Sequence, residues 1–528
     1  MILGLRNAAI AIALAALSAC SNTQTKAPPD EIRIAIPSDI RGTNPGVDRD
    51  AITDTILAHV VEGLVAYDEH FHVAPMLADS YAVSPDGLTY TFHLRKGVRF
   101  QNGAPVTSRE VKWSWNRLLN PATRFLCRDW YDGSHGIRIA AIDTPDPDTA
   151  VFRLARPNYL LLEQMANFQC LGAILHPDSV DAAGHWSRPI GTGPYEIAQW
   201  KRGQYVLLKR FDGYVPRAEP QSGYAGGKRP ETKYIRWIVI PDAAAARAAL
   251  YSGQIDIATG LQPSDIEELS TAENIRIAQT QSLEWFALLI NTGDEMMKDR
   301  RMREAIAHAI DYSALAKGAT FGRSQYNPSV VSTISPYYSP GQRAGYSFDP
   351  GLSRKLLWEA GYRGQQITLE ANKRYPGMFD NAIIIQSMLR RVGLNVHLEI
   401  LEWATQLSNV PERRFQLMSF GFSGRPFPVF AFQSVLGALH QNPWMQWENP
   451  RALQLLDRAS DTRDLAWRGW MFDDAHRLMI ADVPMINLYS ANVIDAVSKR
   501  VEGYHVWSAG KPRLWGIRLK PSSGASAP

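Results

Sequence analysis

Residues 84–107 read SPDGLTYTFHLRKGVRFQNGAPVT, and this stretch carries two turn signals followed by a helix start. Pro-Asp-Gly at 85–87 is typical of a turn between two strands. Asn-Gly at 102–103 is favoured in the tight turn of a hairpin. Thr-Ser-Arg-Glu at 107–110 has the form of a capping box, which predicts a helix through Leu119. The stretch therefore predicts paired strands that lead directly into a helix.

The rest of the chain continues this alternation of strands and helices. Apolar alternation predicts strands over 31–37, 234–241, 285–291 and 396–400. Helical spacing of apolar residues predicts helices over 242–250, after Asp299, and over 382–392. Such an alternation favours an α/β fold with parallel-sheet character. With 528 residues, the chain is too long for one core and predicts at least two domains.

The N-terminus predicts the cellular compartment. Arg6 precedes an apolar run over 8–17, which is too short to span a bilayer but suits a signal peptide. The run ends in Leu-Ser-Ala-Cys at 17–20, which resembles the bacterial lipobox, where the cysteine is lipidated. We therefore expect a signal peptide over 1–19, lipid on Cys20 and a polar tether over 20–30. The alternative is a plain signal peptide with a chance cysteine.

Composition and motifs favour binding over catalysis. The net charge is +4 and the basic residues are spread along the chain, so we expect no nucleic-acid partner. The sequence has no GxSxG, HExxH, CxxC or GxxxxGK[ST] motif. The nearest approach to a phosphate loop, over 223–228, lacks the spacing and predicts an ordinary loop. His70 and His72 share one face of a strand but have no third ligand nearby, so we expect neither a metal nor another cofactor.

The large number of aromatic residues bears on the kind of site. The chain has 15 Trp and 20 Tyr, and large aromatic side chains line ligand clefts as well as cores. Cys127 and Cys170 remain once Cys20 is assigned to lipid. In an oxidising compartment such a pair favours a disulfide, although two buried thiols remain the alternative.

Four stretches together resemble one known family. They are 62–107, which includes the opening stretch, PIGTGPYEIAQWKRGQYVLLKR at 189–210, ALYSGQIDI at 249–257, and DRRMREAIAHAID at 299–311. Their amino-acid sequences and their order along the chain are similar to those of the extracellular solute-binding proteins of family 5, the peptide- and nickel-binding components of ABC importers. Glycines 191 and 193 within the second stretch would permit a tight backbone turn before a strand.

The resemblance implies a two-lobed, periplasmic-binding-protein-like α/β fold. Lobe I would comprise 31–284 and 491–528, with an extra subdomain over about 72–187, and lobe II would comprise 285–490. The crossings near Trp285 and near 486–490 would form the hinge, and a ligand would close the cleft between the lobes. This implies a monomer that delivers a small molecule to a permease and ATPase complex in the inner membrane, without catalysis.

One departure from the family pattern concerns the ligand. Over 419–428 the sequence is SFGFSGRPFP, where peptide binders typically have an aromatic residue and, three positions later, an aspartate that pairs with the peptide ammonium. Phe422 matches the aromatic residue, but Arg425 replaces the aspartate. Trp285, Phe422 and Arg425 are therefore the expected ligand-binding residues, and Arg425 would favour a carboxylate or phosphate. Arg425 could instead face solvent or pair with an acidic side chain.

Two ligand classes remain open at this point. The first is a peptide or peptide-like solute. The second is an anionic solute, opine-like or sugar-phosphate-like, or a metal chelate on the same fold. A secreted hydrolase is disfavoured by the absence of the motifs above, although catalytic residues can be scattered along a sequence.

The lipobox yields a direct prediction. In cells, the Cys20→Ala variant should leave the membrane fraction and appear in the soluble fraction, because it has no thiol to acylate. Fractionation with immunoblotting checks this. If the variant still sediments with membranes, Cys20 is not the anchor.

Overall fold

The computed structural model describes residues 30–134, 136–375 and 377–520. The predicted signal peptide, Cys20 and nearly all of the tether lie outside the described residues. No helix in the described part is both long enough and apolar enough to span a membrane.

The secondary structure is mixed α/β. The strands are β1 (Glu31–Ile36), β2 (Val65–Tyr67), β3 (Val73–Pro75), β4 (Ala78–Val83), β5 (Thr89–Leu94), β6 (Ile139–Asp146), β7 (Thr149–Leu154), β8 (Tyr195–Lys201), β9 (Tyr205–Arg210), β10 (Tyr234–Val239), β11 (Ile257–Ala258), β12 (Ile275–Ile290), β13 (Gln366–Ala371), β14 (Asn395–Ile400), β15 (Leu417–Phe422), β16 (Met485–Ser498), β17 (Val501–Glu502) and β18 (Arg518–Leu519).

The α-helices follow the same alternation. They are α1 (Ala51–Leu57), α2 (Ser108–Leu119), α3 (Leu161–Met165), α4 (Ala243–Tyr251), α5 (Asp265–Ser270), α6 (Arg300–Ala309), α7 (Tyr312–Ala319), α8 (Pro350–Glu359), α9 (Met378–Arg391), α10 (Trp403–Glu412), α11 (Pro428–Gln433), α12 (Pro450–Ser460) and α13 (Leu465–Asp482).

A ten-stranded sheet runs through the molecule in the order β14-β13-β15-β12-β16-β11-β1-β10-β9-β8. β1 pairs in parallel with β10 and β11, and β13 pairs in parallel with β14 and β15. The parallel character predicted from the sequence is therefore present on both sides of the sheet. The alternating isoleucines of β1 are buried, as a strand inside such a sheet requires.

Two long antiparallel strands, β12 and β16, join the two sides. Residues 275–281 of β12 pair with 492–498, and residues 285–289 pair with 485–490, with a register irregularity between Gln281 and Trp285. We call β1, β8–β11 and the first paired segment the first sheet half, and β13–β15 and the second segment the second sheet half. The predicted strand at 285–291 was too short, because the polar residues at 279–282 conceal the first part of β12.

A separate four-stranded antiparallel sheet, in the order β4-β5-β7-β6, lies within the range predicted for the extra subdomain. Thr107 and Glu110 form the predicted capping box of α2. This helix buries Trp115 against the ring of Phe152, with ring centroids 5.4 Å apart. The predicted cap Asp299 begins its helix, and Asp242, predicted as the first residue of a helix, is the N-cap of α4.

The glycines before β8 serve a different purpose from the one predicted. A Cβ atom on Gly191 would lie 2.2 Å from the Val60 carbonyl oxygen, and one on Gly193 would lie 2.5 Å from the His59 carbonyl oxygen. Gly193 N donates a hydrogen bond to Val60 O at 3.0 Å. These glycines allow two backbone segments to touch; neither has the positive φ of a tight left-handed turn.

The two remaining cysteines lie side by side. Cys127 and Cys170 have Cα atoms 6.3 Å apart, within the range for a disulfide, and both side chains are buried. They form a disulfide bond between positions that are 43 residues apart in the sequence.

We predict that this bridge stabilises the extra subdomain. The double variant Cys127→Ser, Cys170→Ser should lose about 3–4 kcal/mol of unfolding free energy, because the bridge limits the conformations of the unfolded loop. Denaturant titration measures the loss. Intact mass after alkylation without reductant provides the control, since two alkylated thiols in the unmodified protein would refute the bridge.

Candidate functional site

A cavity of about 700 Å³ lies where residues of both sheet halves face each other. Ile36 ends β1, Thr259 follows β11 and Phe422 ends β15, and all three line the cavity. In α/β sheets, ligands bind outside the carboxyl ends of the strands, where connections diverge. The volume and the mainly apolar walls, which include several aromatic side chains, suit a small-molecule ligand.

Trp285 and Phe422 form one wall of this cavity. They are register partners on β12 and β15, and their rings stack with centroids 4.1 Å apart and planes 12° apart. Trp285 is 2% exposed, and its Nε1 has no hydrogen-bond partner among the described residues. The structure therefore places both residues, which the sequence analysis expected to contact ligand, on the same cavity.

Several further aromatic residues that were not expected to contact ligand line the cavity, among them Tyr375, Trp403 and Trp507. Tyr375 and Trp403 make an edge-to-face contact at 4.8 Å. Trp507 stacks on Phe71 at 5.4 Å and donates from Nε1 to the Glu69 carbonyl oxygen. They come from segments far apart in sequence, and only Trp403 follows a strand that the sequence predicted, at 396–400.

Charged groups of both signs line the same cavity. Glu284 and Asp380 are exposed to the open space of the cavity, whereas the side chain of Lys511 is 8% exposed. Lys511 Nζ donates a hydrogen bond to Ala51 O at 3.0 Å. Burial lowers the pKa of Lys511, and the nearby Asp54 carboxylate partly offsets that change. The cavity therefore offers two accessible carboxylates and one cation that is hydrogen-bonded to the backbone.

Arg425 lines a different, smaller cavity of about 180 Å³. Its guanidinium makes hydrogen bonds to the carbonyl oxygens of Ser423, at 3.2 Å, and Gly424, at 3.3 Å. Within the described ranges, no carboxylate lies within ion-pair distance of it. Burial, and secondly the like charge of Arg49, lower the pKa of Arg425 to about 10. Arg425 is thus neither fully exposed nor paired, but it does not share the cavity of Phe422.

Amide side chains and apolar side chains together line the rest of the smaller cavity. Asn158, Gln164 and Asn167 come from the first part of the chain, and Gln433 from α11. Gln164 is 3% exposed, and its side-chain carbonyl oxygen has no hydrogen-bond partner among the described residues. This cavity therefore combines amide groups and apolar walls with one unpaired cation.

Residues 159–169 contact residues 424–468 beside both cavities, and we call these contacts the seam. Tyr159 N donates to Ser460 O at 2.9 Å, and Gln169 Nε2 donates to Gly424 O at 3.3 Å. Arg468 lies 3.8 Å from Glu163, an ion pair with both side chains largely buried. Burial raises the pKa of Glu163, and Arg468 partly offsets this rise. The seam holds the two parts of the chain together over the cavities.

A third cavity, of about 880 Å³, lies at the other end of β12, β13 and β15. Asn291, Glu370 and Glu399 line it, and no residue there was predicted to bind ligand. Burial raises the pKa of Glu370 to about 7. This cavity borders only the second sheet half and has few aromatic walls, so it lacks the features that distinguish the cavity of Trp285.

The structure also locates the pair of histidines at 70 and 72 and the segment 223–228, which approaches a phosphate-loop motif in sequence. The rings of His70 and His72 lie 6.5 Å apart, and no group of three potential metal ligands occurs in the part of the chain that is described. The segment 223–228 is a loop, as predicted, but its Lys228 is buried and pairs with Glu62 at 3.5 Å. The ammonium group of Lys228 is therefore already paired with a carboxylate of the protein.

Comparison with known proteins gives consistent results. The family model described as bacterial extracellular solute-binding proteins, family 5 Middle, matches residues 72–442. The glutathione-binding protein GsiB of Escherichia coli K12 is 25% identical over 516 residues, covering 94% of this chain and 95% of GsiB.

Solved structures share the fold. AgaA from A. tumefaciens R10, in complex with agropinic acid, superposes with a TM-score of 0.74 at 23% identity, covering 93% of this chain and 99% of AgaA. DppA from Helicobacter pylori, in complex with the peptide STSA, gives a TM-score of 0.77 at 23% identity, covering 93% and 98%.

The two-lobed fold class and the family resemblance predicted from the sequence are both confirmed. The match to the family model spans more than half of the chain and includes the second sheet half as well as the extra sheet. This chain belongs to the bacterial extracellular solute-binding proteins of family 5.

Proposed function

We propose that this protein captures a peptide or peptide-like solute in the cavity of Trp285 and Phe422 and delivers it to an ABC permease and ATPase complex. The carrying observation is the aromatic cavity at the carboxyl ends of strands from both sheet halves. Family membership supports import, and the similarity to GsiB and DppA supports a peptide-like solute. The protein binds and releases its solute without converting it.

The two strands β12 and β16 support a hinge. Their register irregularity between Gln281 and Trp285 falls at the proposed boundary between lobe I (31–284 and 491–528) and lobe II (285–490). A break in a two-strand connection concentrates bending at a few residues. The seam, with one ion pair and several hydrogen bonds, then closes the lobes over the ligand.

The lipobox-like sequence at 17–20 supports attachment of a monomer to a bacterial membrane through Cys20. The polar residues after it provide a tether between lipid and lobe I. Anchoring keeps the protein near its permease and raises the effective concentration of loaded protein there.

A second candidate, an anionic opine-like solute, is favoured by one observation. Arg425 is a half-buried guanidinium without an acidic partner among the described residues, beside the loop of Ser423 that lines the main cavity. A carboxylate there would satisfy a cation that the protein leaves unpaired. AgaA, which shares the fold, was solved with agropinic acid.

The function predicts ligand-driven compaction. Glutathione or the peptide Ser-Thr-Ser-Ala should bind in calorimetric titration and reduce the radius of gyration in small-angle scattering, because closure brings the lobes together. Mass spectrometry of the mixture after incubation should recover the solute intact. Binding without compaction would contradict the hinge, and conversion of the solute would contradict a purely binding role.

Because Arg425 is an unpaired cation among the described residues, we expect the protein to prefer solutes that carry a carboxylate. Arg425→Ala should weaken binding of Ser-Thr-Ser-Ala about 10²-fold, since a partly buried ion pair contributes a few kcal/mol. It should have little effect on the C-terminally amidated peptide, and Arg425→Lys should retain part of the preference. Titration of agropinic acid tests the second candidate with the same variants.

Arg414→Ala serves as the matched control, because Arg414 is an exposed arginine on the distant third cavity. Equal affinities of unmodified protein and Arg425→Ala for all these solutes would mean that Arg425 does not contact the ligand.

A further inference from the structure

One aromatic side chain of the main cavity, the cavity of Trp285 and Phe422, is exposed to water and lacks a packing partner. Phe321 lines this cavity and is 63% exposed, so its ring lies at an opening of the cavity. Tyr375, the other strongly exposed aromatic residue there, meets the ring of Trp403. The ring of Phe321 meets no other aromatic ring and joins no hydrophobic core among the described residues. Its apolar surface is therefore available to a solute.

The backbone of Phe321 is also unusual. Its φ angle is 52°, in the left-handed region that glycine adopts most readily. The residue follows Thr320, the C-cap of α7, and Gly322 N donates to Lys317 O at 2.8 Å, which is characteristic of a Schellman motif. Glycine is usual at the position that Phe321 occupies in this motif, and a side chain there strains the backbone. The chain thus holds a large ring where glycine would be less strained.

The turn that carries Phe321 is attached to both sheet halves. Helix α7, which precedes the turn, packs into the hydrophobic core that contains Leu369 of β13, in the second half. Asn492 lies on the segment of β16 that belongs to the first half. Its side-chain amide donates to Arg323 O at 2.9 Å and to Ser324 Oγ at 3.0 Å. Phe321 is therefore held where the two halves meet.

A second apolar surface borders the same cavity from the first sheet half. Segment 259–264, which joins β11 to α5, lines the cavity and has the uncharged sequence TGLQPS. Gly260 and Ser264 are exposed, so this segment also reaches the outside of the cavity, and Leu261 and Pro263 give it apolar surface. A solute between this segment and Phe321 meets apolar groups from both halves of the molecule.

We propose that Phe321 covers an opening of the main cavity over a bound solute and selects solutes that present an apolar group there. The inference rests on the proposed function and specifies its ligand class. An apolar group that meets the ring removes surface of both partners from water, which stabilises the loaded protein. Because the ring lies at the exit, it acts mainly on the rate at which the solute dissociates.

The test measures the binding kinetics of the mature protein by surface plasmon resonance. The probes are Ser-Thr-Ser-Ala and four variants of this peptide, each with leucine at one position. At least one leucine peptide should dissociate from unmodified protein more slowly than Ser-Thr-Ser-Ala. Phe321→Gly should release that peptide about 10-fold faster and lose the preference for it, with little change in the association rate. Phe321→Tyr keeps an aromatic ring and should retain most of the slow release.

The melting temperature of the ligand-free variants separates a binding role from a structural one. Phe321→Gly should melt at the same or a higher temperature than unmodified protein, because glycine relieves the strained φ angle. Phe321→Ala removes the ring but keeps a Cβ, so it should release the peptide as fast as Phe321→Gly and melt no higher. A lower melting temperature of Phe321→Gly would show that the ring supports the fold and would overturn the inference.

Two matched controls lie away from the cavities described above. Arg124→Gly places glycine at another exposed residue with a positive φ angle, 58°, and Phe348→Ala removes another exposed phenylalanine. Neither residue lines any of the three cavities. Both variants should release the peptides at the rate of unmodified protein. Equally fast release from either control would show that the effect of Phe321→Gly is not specific to the opening, against the inference.

The remaining outcomes distinguish this inference from the proposed function. If unmodified protein and Phe321→Gly release the bound peptides at equal rates, Phe321 does not cover the solute and only this inference fails. The same holds if no leucine peptide dissociates more slowly than Ser-Thr-Ser-Ala. If unmodified protein binds none of the five peptides, the proposed peptide-like ligand fails and the inference fails with it.

Discussion

The pairing of β12 with β16 is the constraint on which the rest of the structure depends. These two strands are the only pair in the described sheet that extends through both halves, and every other strand attaches to one side or the other. Backbone hydrogen bonds along a 16-residue and a 14-residue strand fix the two halves in one sheet. The local irregularity near Trp285 interrupts the ladder at the level of the cavity. The cavity therefore lies at the position where the connection between the halves is weakest.

Local signals in the sequence were sufficient for most elements of the fold. The capping box at Thr107, the cap Asp299 and the alternating isoleucines of β1 depend on neighbouring residues, and all were recognised correctly. The length of β12 was missed, because half of it carries polar residues that are satisfied by pairing with β16. The purpose of Gly191 and Gly193 was also missed, since the backbone they touch lies more than a hundred residues away in sequence.

The site was predictable only in part, for a related reason. Trp285 and Phe422 were expected from a family pattern, and the register of β12 with β15 brings their rings together. Glu284 and Asp380 have no local signal, because their exposure to the cavity depends on residues that are distant in sequence. Arg425 and Phe422 are three residues apart, yet they line different cavities. Proximity in sequence therefore did not imply a shared subsite.

The seam has a consequence for how such a protein can diverge. Its hydrogen bonds from Tyr159 N, Gln169 and Arg468 all end on backbone carbonyl oxygens, at Ser460, Gly424 and Tyr159 respectively. Backbone acceptors do not change when side chains are substituted, so these contacts tolerate mutation on the accepting side. Cavity residues such as Trp403 and Tyr375 contribute nothing to those bonds. Selection can thus alter the chemistry of the cargo while the surface that a transporter recognises stays the same.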